Sequence, residues 1–501
     1  MIDIRNKKNT YNNRSSRIGI SKNQCSPFHI FAVDGKKFVF DTLMCRFYKI
    51  DDIVHEFLYF LQAGDNFADS FKRLKLSRKY SLRDIKGLQK EFSLLRKHGF
   101  MNPHPNFIDI DAVKQKILSR NCSDINDIQL ILTDKCNLSC RYCYCSQQKH
   151  VCAEQRNMKS NIAQAVIDYF SKSNETPLSI TFFGGEPTIN KELIDFIMDY
   201  TNDLKKKTNK EFRYIITTNA TILDDRIIDY IVHYNFGLMV SLDGPEDIHN
   251  FQCPEKSGKN SFQMAKTNIK KLMKRRSVGV RATMIHPMPN LKMLIDFFIN
   301  FGFSNIAIAA ATNRNDAPSD YDFTNKDMID FSCQVESLNP WLLKYLLKNE
   351  RPPYFIHEKW YSQIEKNDIH PDCQIFNCGA CNSVIGVDPV GNYYPCAKFC
   401  GLKQWSVGNV ATGINDSKCK DIWIKYIECI SSRCGTCWAY PLCHGPCLWE
   451  CARNDGTLEF DDKYCIFTKK VIECSAYLYF MVQNHQHDKP QKEEVSCTKK
   501  K

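Results

Sequence analysis

The chain has 501 residues, 43% of them hydrophobic and 25% charged, so it carries enough apolar side chain for more than one buried core. Its formal charge of +12 lies largely in runs such as "KKK" from Lys205 and "KKLMKRR" from Lys270 on helix-like segments, with neither a basic face laced with stacking aromatics nor a known binding motif, which excludes nucleic acid as the expected partner. No stretch approaches the roughly 18 apolar residues of a membrane helix, and the polar start "MIDIRNKKNT" lacks a secretory core, so neither a membrane nor export is expected.

The 25 cysteines are the informative count. In a long chain without an export signal, clustered thiols read as metal ligands or reactive groups in a reducing, cytoplasmic setting. Fourteen of them fall between Cys373 and Cys474.

In chain order, residues 1–24 read as a disordered arm. Residues 25–120 open with "FHIFAVDGKKFVFD", two β-like runs around a Gly-containing turn, followed by the strand candidate "RFYKI". Helical patterns follow, with Asp51 and Ser81 as N-caps and Gly64 as a stop. Three strands and three helices in so short a stretch suggest a winged-helix-like α+β domain. Residues 125–330 alternate buried strands ("IQLIL", "LSITFF", "FRYIITT", "GLMVSLD", "VGVRATMI", "IAIAAA") with helices. That rhythm predicts an α/β parallel sheet, and six units give a partial (β/α)6 barrel of TIM type rather than a closed one. Residues 331–369 read as a bridging region. From 370 to 480 the rhythm stops, and Cys, Gly and Pro punctuate short segments that bound metal would stabilise. Residues 484–501 read as a disordered tail.

Directly after the first barrel strand stands "CNLSCRYCYC", in which Cys136, Cys140 and Cys143 have the spacing C-x3-C-x2-C. Three thiolates on one loop at a strand end suit three irons of a cubane and leave the fourth open. A zinc site would instead favour close pairs. This loop, with the aromatic Tyr142 before its last Cys, resembles the signature of the radical S-adenosylmethionine (SAM) superfamily. "FFGGEP" (Gly184, Gly185, Glu186, Pro187), "TTNAT" (Asn219), "SLDGP" (Ser241, Asp243) and Arg281 in "VRATMI" stand at the ends of, or on, the following strands, in the family's order. The resemblance implies a [4Fe–4S] cluster on the three cysteines, a glycine turn against the methionine part of SAM, Ser241 and Asp243 near the ribose, and Arg281 facing the carboxylate. The chain departs from the family pattern at Ala220, where Gly is frequent, and at His249, Asn250 and Cys253. Cys145 and Cys152 fall outside the pattern and read as spare thiols.

A second constellation, "CGTCWAYPLCHGPC", holds Cys434, Cys437, Cys443 and Cys447; upstream stand Cys378, Gly391 and Cys396, and downstream Cys465. Together they resemble the SPASM extension of radical SAM enzymes that modify peptides and proteins. The resemblance implies two auxiliary [4Fe–4S] clusters and three in all. Cys434, Cys437, Cys443 and Cys465 would hold the outer one. Cys378, Cys396 and Cys447 would hold the inner one, with Cys373 or Cys381 as a possible fourth ligand, or an open iron for a substrate thiolate. Cys400, Cys419, Cys429, Cys451 and Cys474 read as buried thiols.

The whole order of domains resembles peptide maturases that form Cys-to-carbon thioethers. The resemblance implies a Cys-containing precursor peptide bound by the N-terminal domain as an added strand, a flavodoxin- or ferredoxin-type electron donor, and hydrogen abstraction by a 5′-deoxyadenosyl radical. The alternatives are a sulfatase maturase making formylglycine, or carbon–carbon cross-linking or epimerisation of a peptide. No side chain stands out as a general base.

Overall fold

Turn and cap chemistry sets the first elements. The computed structural model describes residues 26–97, 100, 102, 106–120, 125–143, 156–172, 177–311, 319–369 and 378–487. β1 (Phe28–Val33) and β2 (Lys36–Asp41) pair antiparallel around Asp34 and Gly35, both at positive φ, the geometry that Asp-Gly favours in a two-residue hairpin. β3 (Arg46–Ile50) adds to β2 antiparallel. Asp51 caps the helix Asp52–Gln62 by accepting the Val54 N–H at 2.6 Å. Ser81 accepts the Asp84 N–H and donates to its carboxylate, starting the helix Leu82–Lys97. Between them lies the helix Phe67–Ser77. The apolar faces of all three meet at Phe57, whose ring centroid is 4.4 Å from Phe71 and 4.8 Å from Phe92, each buried ring stabilising by roughly 1.5–3 kcal/mol. The expected three strands and three helices are all present.

Two compact units emerge, and neither is continuous in sequence. One takes the chain up to Pro105, Val335–Pro371 and the chain from Lys469 on; the other takes Asn106–Gln334 and Asp372–Thr468. The helix Ile110–Leu118, in the stretch read as N-terminal domain, therefore groups with the second unit, where Lys114 pairs with Glu428 at 2.6 Å. The bridging region is not a linker: it carries the helices Asn339–Leu346 and Glu358–Glu365 and belongs mostly to the first unit. The last helix, Lys463–His487, runs into the segment read as tail; the arm to residue 25 and the chain past 487 lie outside the described residues. Within the first unit, largely buried Glu473, 12% exposed at its side chain, binds His29 Nε2 at 2.9 Å and Lys470 Nζ at 2.9 Å. Burial raises its pKa, but these partners outweigh it and hold the carboxyl below the usual range.

His55 predicts how the first unit answers to acid. Burial, helped by Lys37, lowers its pKa to about 4 from 6.5. The unfolded chain takes up the proton near 6.5 and the folded one only near 4, so stability is lost as pH falls through that window. By about pH 5 the loss is on the order of 1–2 kcal/mol. Hydrogen exchange of the β1–β3 amides at about pH 7 and pH 5 should show it, and His55→Gln should flatten the difference.

The second unit is built on one sheet. β4 (Asp127–Thr133), β5 (Leu178–Gly184), β6 (Phe212–Thr218), β7 (Gly237–Ser241), β8 (Gly279–Met284) and β9 (Asn305–Ala310) run parallel in sequential order with helices between them. This is the expected (β/α)6 array. Alternation fixes its two faces. Ile128, Leu130, Ile180, Phe182, Ile216, Val240, Val280, Ala282 and Ile308 are buried on one. Gln129, Thr217, Ser241, Arg281 and Thr283 lie on the other, half-exposed or exposed.

The sheet does not stop at β4. The Cys-rich region, read as lacking strands, contributes β10 (Val384–Val387), which pairs parallel with β4 and continues antiparallel into β11 (Asn392–Tyr394), β12 (Gly408–Asn409) and β13 (Gly413–Ile414). Four residues of strand are too short a signal to separate from loop. Only the free edge of β4 makes them a strand.

Candidate active site at the strand ends

Cys136, Cys140 and Cys143 lie on the loop after β4, and three sides hold that loop. At the first, Gly184 and Gly185 bring the end of β5 against it: the Gly185 N–H meets Thr133 O at 2.9 Å and the Glu186 N–H meets Lys135 O at 2.8 Å. A Cβ on Gly184 would sit 2.5 Å from Thr133 O, and one on Gly185 2.2 Å from Lys135 O. Only glycine allows that approach.

At the second side, Asn219 Nδ2 donates to Asn137 Oδ1 at 3.1 Å and reaches Cys136 Sγ at 3.9 Å. Its Oδ1 accepts from the N–H and hydroxyl of Thr221. At the third, Asn137–Arg141 pairs antiparallel with Gln252–Lys256: the Arg141 N–H meets Gln252 O at 2.9 Å, the Ser139 N–H meets Pro254 O at 2.9 Å and the Lys256 N–H meets Asn137 O at 3.0 Å. The Arg141 side chain locks this ladder, donating to Phe251 O at 2.7 Å and Tyr321 Oη at 2.8 Å with its guanidinium over the Phe251 ring.

The electrostatics suit a cation. Burial pushes the Cys136 thiol up to about 12; the Leu138 N–H opposes this, while Glu186, Cys140 and Cys143 add to it. Three crowded, partly buried thiols are deprotonated by a metal that binds them. The donor set therefore fits three irons of a cluster.

The remaining predicted residues gather at the same strand ends. Glu186 is a buried knot: Oε1 accepts from the N–H and hydroxyl of Thr188 and from the Thr218 hydroxyl, and Oε2 from the Asn219 N–H. Burial still raises its pKa against these donors. Pro187 starts the 3-10 turn that follows. Ser241 and Arg281 are register partners on the half-exposed face. The Arg281 side chain is exposed and has no hydrogen-bond or ion-pair partner among the described residues, so it is available to an anion.

Asp243 is committed to the protein. Oδ1 accepts from the Thr283 N–H at 2.9 Å, and Oδ2 from Tyr142 Oη at 2.9 Å and Cys253 Sγ at 3.3 Å. It anchors Tyr142 of the thiol loop rather than standing free beside a ligand. Ala220 keeps the left-handed backbone of the glycine it replaces, at φ 58°. Its N–H is held by Thr218 Oγ1 and its carbonyl by Asn268 Nδ2, so the loop survives a conformation that costs an alanine roughly 1–2 kcal/mol.

Asp243, His249 and Cys253 also bring ligand atoms within 4.8 Å of one another. His249 Nδ1 accepts the Asp243 N–H at 3.2 Å, so the proton of the neutral ring is on Nε2 and no lone pair is left for a metal.

In the Cys-rich region the thiols form two groups. Burial raises the Cys396 pKa to about 12, with Cys447 and then Cys378 adding charge and Lys398 opposing. The Ala397 N–H donates to Gln129 Oε1 at 2.8 Å, which ties this group to the half-exposed face of β4. Cys381 stands beside it, its N–H on Val384 O and Pro395 O and its φ at 52°. The second group surrounds Cys434, whose pKa is raised by burial and then by Cys437, Cys443, Cys465 and Cys451. Cys400, Cys419, Cys451 and Cys474 are buried as read, while Cys429 is half-buried. Cys451 is more than a spare thiol by position, since Cys434 and Cys447 from both groups are its neighbours. Cys145, Cys152 and Cys373 lie outside the described residues. Among the described cysteines none is paired in a disulfide.

Sequence reasoning named Cys253 only as a departure from the family pattern and missed the Gln252–Lys256 ladder. "FQCPE" carries no motif, and the pairing depends on two segments more than a hundred residues apart.

Comparison with known proteins adds the family. Residues 130–298 match the model of the radical SAM superfamily. The chain is 26% identical over 379 residues to the radical SAM cyclopropyl synthase TigE of Paramaledivibacter caminithermalis, covering 70% of this chain and 74% of that one. It is 23% identical over 377 residues to a cysteine-type anaerobic sulfatase-maturating enzyme of Clostridium novyi, covering 71% and 97%. The solved structure of native anSMEcpe with bound AdoMet overlays with a TM-score of 0.59 at 20% identity, covering 72% of this chain and 99% of that one, a likeness of fold. No helix among the described residues is long and apolar enough to cross a membrane. Three thiols on the loop after β4, glycines packed against that loop and an unpartnered arginine on the open face all lie inside the matched region, so residues 130–298 are a radical SAM domain.

Proposed function

We propose that the enzyme is a peptide maturase that joins a Cys sulfur of a precursor peptide to a carbon of another residue. Cys136, Cys140 and Cys143 hold the SAM-binding cluster; Cys434, Cys437, Cys443 and Cys465 hold an outer auxiliary cluster; Cys378, Cys396 and Cys447 hold an inner one. Bound there, cluster and SAM would supply the one-electron chemistry that allows hydrogen abstraction from an unactivated carbon. The chain's own residues do the rest. Gly184 and Gly185 give the methionine end of SAM an approach along the backbone, Arg281 pairs with its carboxylate, and Ser241 lies toward the ribose. Asp243 and Glu186 act through Tyr142 and Asn219 as positioning residues. The electron donor is of the flavodoxin or ferredoxin type, and the reducing, oxygen-poor cytoplasm suits the free thiols.

The observation that carries this reading is the inner group: Cys378, Cys396 and Cys447 crowd together next to the strand face that bears Ser241 and Arg281. Three thiols would hold three irons of a cluster and leave room for a substrate sulfur. The three-stranded N-terminal sheet supports a peptide substrate, because it offers an edge to which an extended precursor adds by main-chain hydrogen bonds.

A second reading has support in the similarity to sulfatase-maturating enzymes, where the product is formylglycine. The similarity to a cyclopropyl synthase brings carbon–carbon bond formation as a third. Mass spectrometry of a Cys-containing precursor after turnover separates them. Thioether formation removes two hydrogens and one alkylatable thiol per link. Loss of two hydrogens with the thiol count unchanged points to carbon–carbon bonding, and an aldehyde in place of the thiol to formylglycine.

A further inference from the structure

We propose that Cys140 and Cys253 form a redox pair: when the loop holds no metal, a two-electron oxidant closes a disulfide between them. The ladder sets the register. Arg141 meets Gln252, Ser139 meets Pro254, Leu138 bridges Glu255, and Asn137 meets Lys256. Cys140 therefore stands directly opposite Cys253. Backbone hydrogen bonds fall on the pairs to either side, and none joins these two residues: the Cys140 carbonyl accepts the Cys143 N–H, and the Cys253 N–H goes to His249 O, while the two thiols themselves are within hydrogen-bond reach. Theirs is a non-hydrogen-bonded antiparallel position, where Cα atoms are about 4.5 Å apart and side chains closest. That lies within the span of about 4.4–6.8 Å which a disulfide bridges.

Cys253 is also held in place. It is 3% exposed, its Sγ lies against Asp243 Oδ2 and Tyr142 Oη, and its carbonyl accepts the Ser261 hydroxyl at 2.7 Å. Cys140 is half-exposed. A small-molecule disulfide attacked by Cys140 gives a mixed disulfide and one free thiol. Cys253 then attacks Cys140 sulfur and releases the second. Two electrons pass from the protein thiols to the small disulfide, and both protons end on the released thiols. Closing the pair keeps Cys140 from irreversible sulfinic and sulfonic oxidation. It also leaves the loop with two thiols until a reductant reopens it. The block on loading rests on Cys140 being an iron ligand; the bond itself does not.

The test uses the full chain stripped of iron, treated with oxidised glutathione without air, alkylated and digested. Mass spectrometry is expected to find a Cys140–Cys253 linked peptide that disappears on reduction. In Cys253→Ser, Cys140 should instead be recovered glutathionylated; Cys253→Ala and the thermal melt of both variants check that the fold is intact. Cys140 recovered in the unsubstituted chain as a free thiol, or joined to Cys136 or Cys143, overturns the pairing. Oxidised protein should then take up about four fewer irons than reduced protein on anaerobic loading. Equal uptake with the linked peptide present overturns the block, and with it Cys140 as a ligand, while leaving the pair.

Discussion

A Cys136→Ala chain, reconstituted without air, is expected to hold about eight irons where the unsubstituted chain holds about twelve, and to form no 5′-deoxyadenosine from SAM. Two thiolates do not hold a cubane. The groups hydrogen-bonded to the Cys136 sulfur, Asn219 Nδ2 and the Leu138 N–H, are donors. On the proposed reading the eight remaining irons would come from the two groups around Cys396 and Cys434, which belong to a different stretch of chain. Iron analysis together with chromatography of the nucleoside product reads both parts. Residual SAM cleavage above the level of metal-free protein would remove Cys136 from the cluster. Loss of all iron would mean that the auxiliary groups depend on this loop to fold.

Cys447→Ala is expected to separate the two halves of the chemistry. Iron again falls by about four, but 5′-deoxyadenosine is still formed, since the loop after β4 and its three supports are untouched. The peptide product is expected to fall to background, because the substrate sulfur loses its iron. The physical ground is the position of the group: the Ala397 N–H on Gln129 Oε1 fixes Cys396 at β4, beside the open face but outside the thiol loop. A variant that still builds thioethers at an undiminished rate per 5′-deoxyadenosine would sink the inner-cluster role. One that loses SAM cleavage as well would show the inner group to be structural.

The sequence by itself determined the chemistry and the ground plan. Six strands alternating with helices gave the parallel array, because period-two burial and helical spacing are local properties. Each strand then carried its own motif to the same end of the sheet: the thiols after β4, the glycines after β5, Asn219 after β6 and Ser241 at the end of β7. The caps at Asp51 and Ser81 were equally legible, as was the Asp-Gly hairpin.

Tertiary structure decided whatever depends on partners distant in sequence. The short run Val384–Val387 became a strand because β4 offered a free parallel edge. Val335–Pro371 and the chain from Lys469 joined the N-terminal unit, where Glu473 meets His29 across more than four hundred residues. Asp243 and Glu186 looked like ligand contacts in the sequence, yet their oxygens are taken by neighbouring strand ends. "CNLSCRYCYC" offered three candidate ligands, and the ladder from Gln252 to Lys256 gave Cys140 its opposite thiol. A motif is a spacing along one segment and is written there. A register between two segments depends on backbone hydrogen bonds that exist only once both are folded.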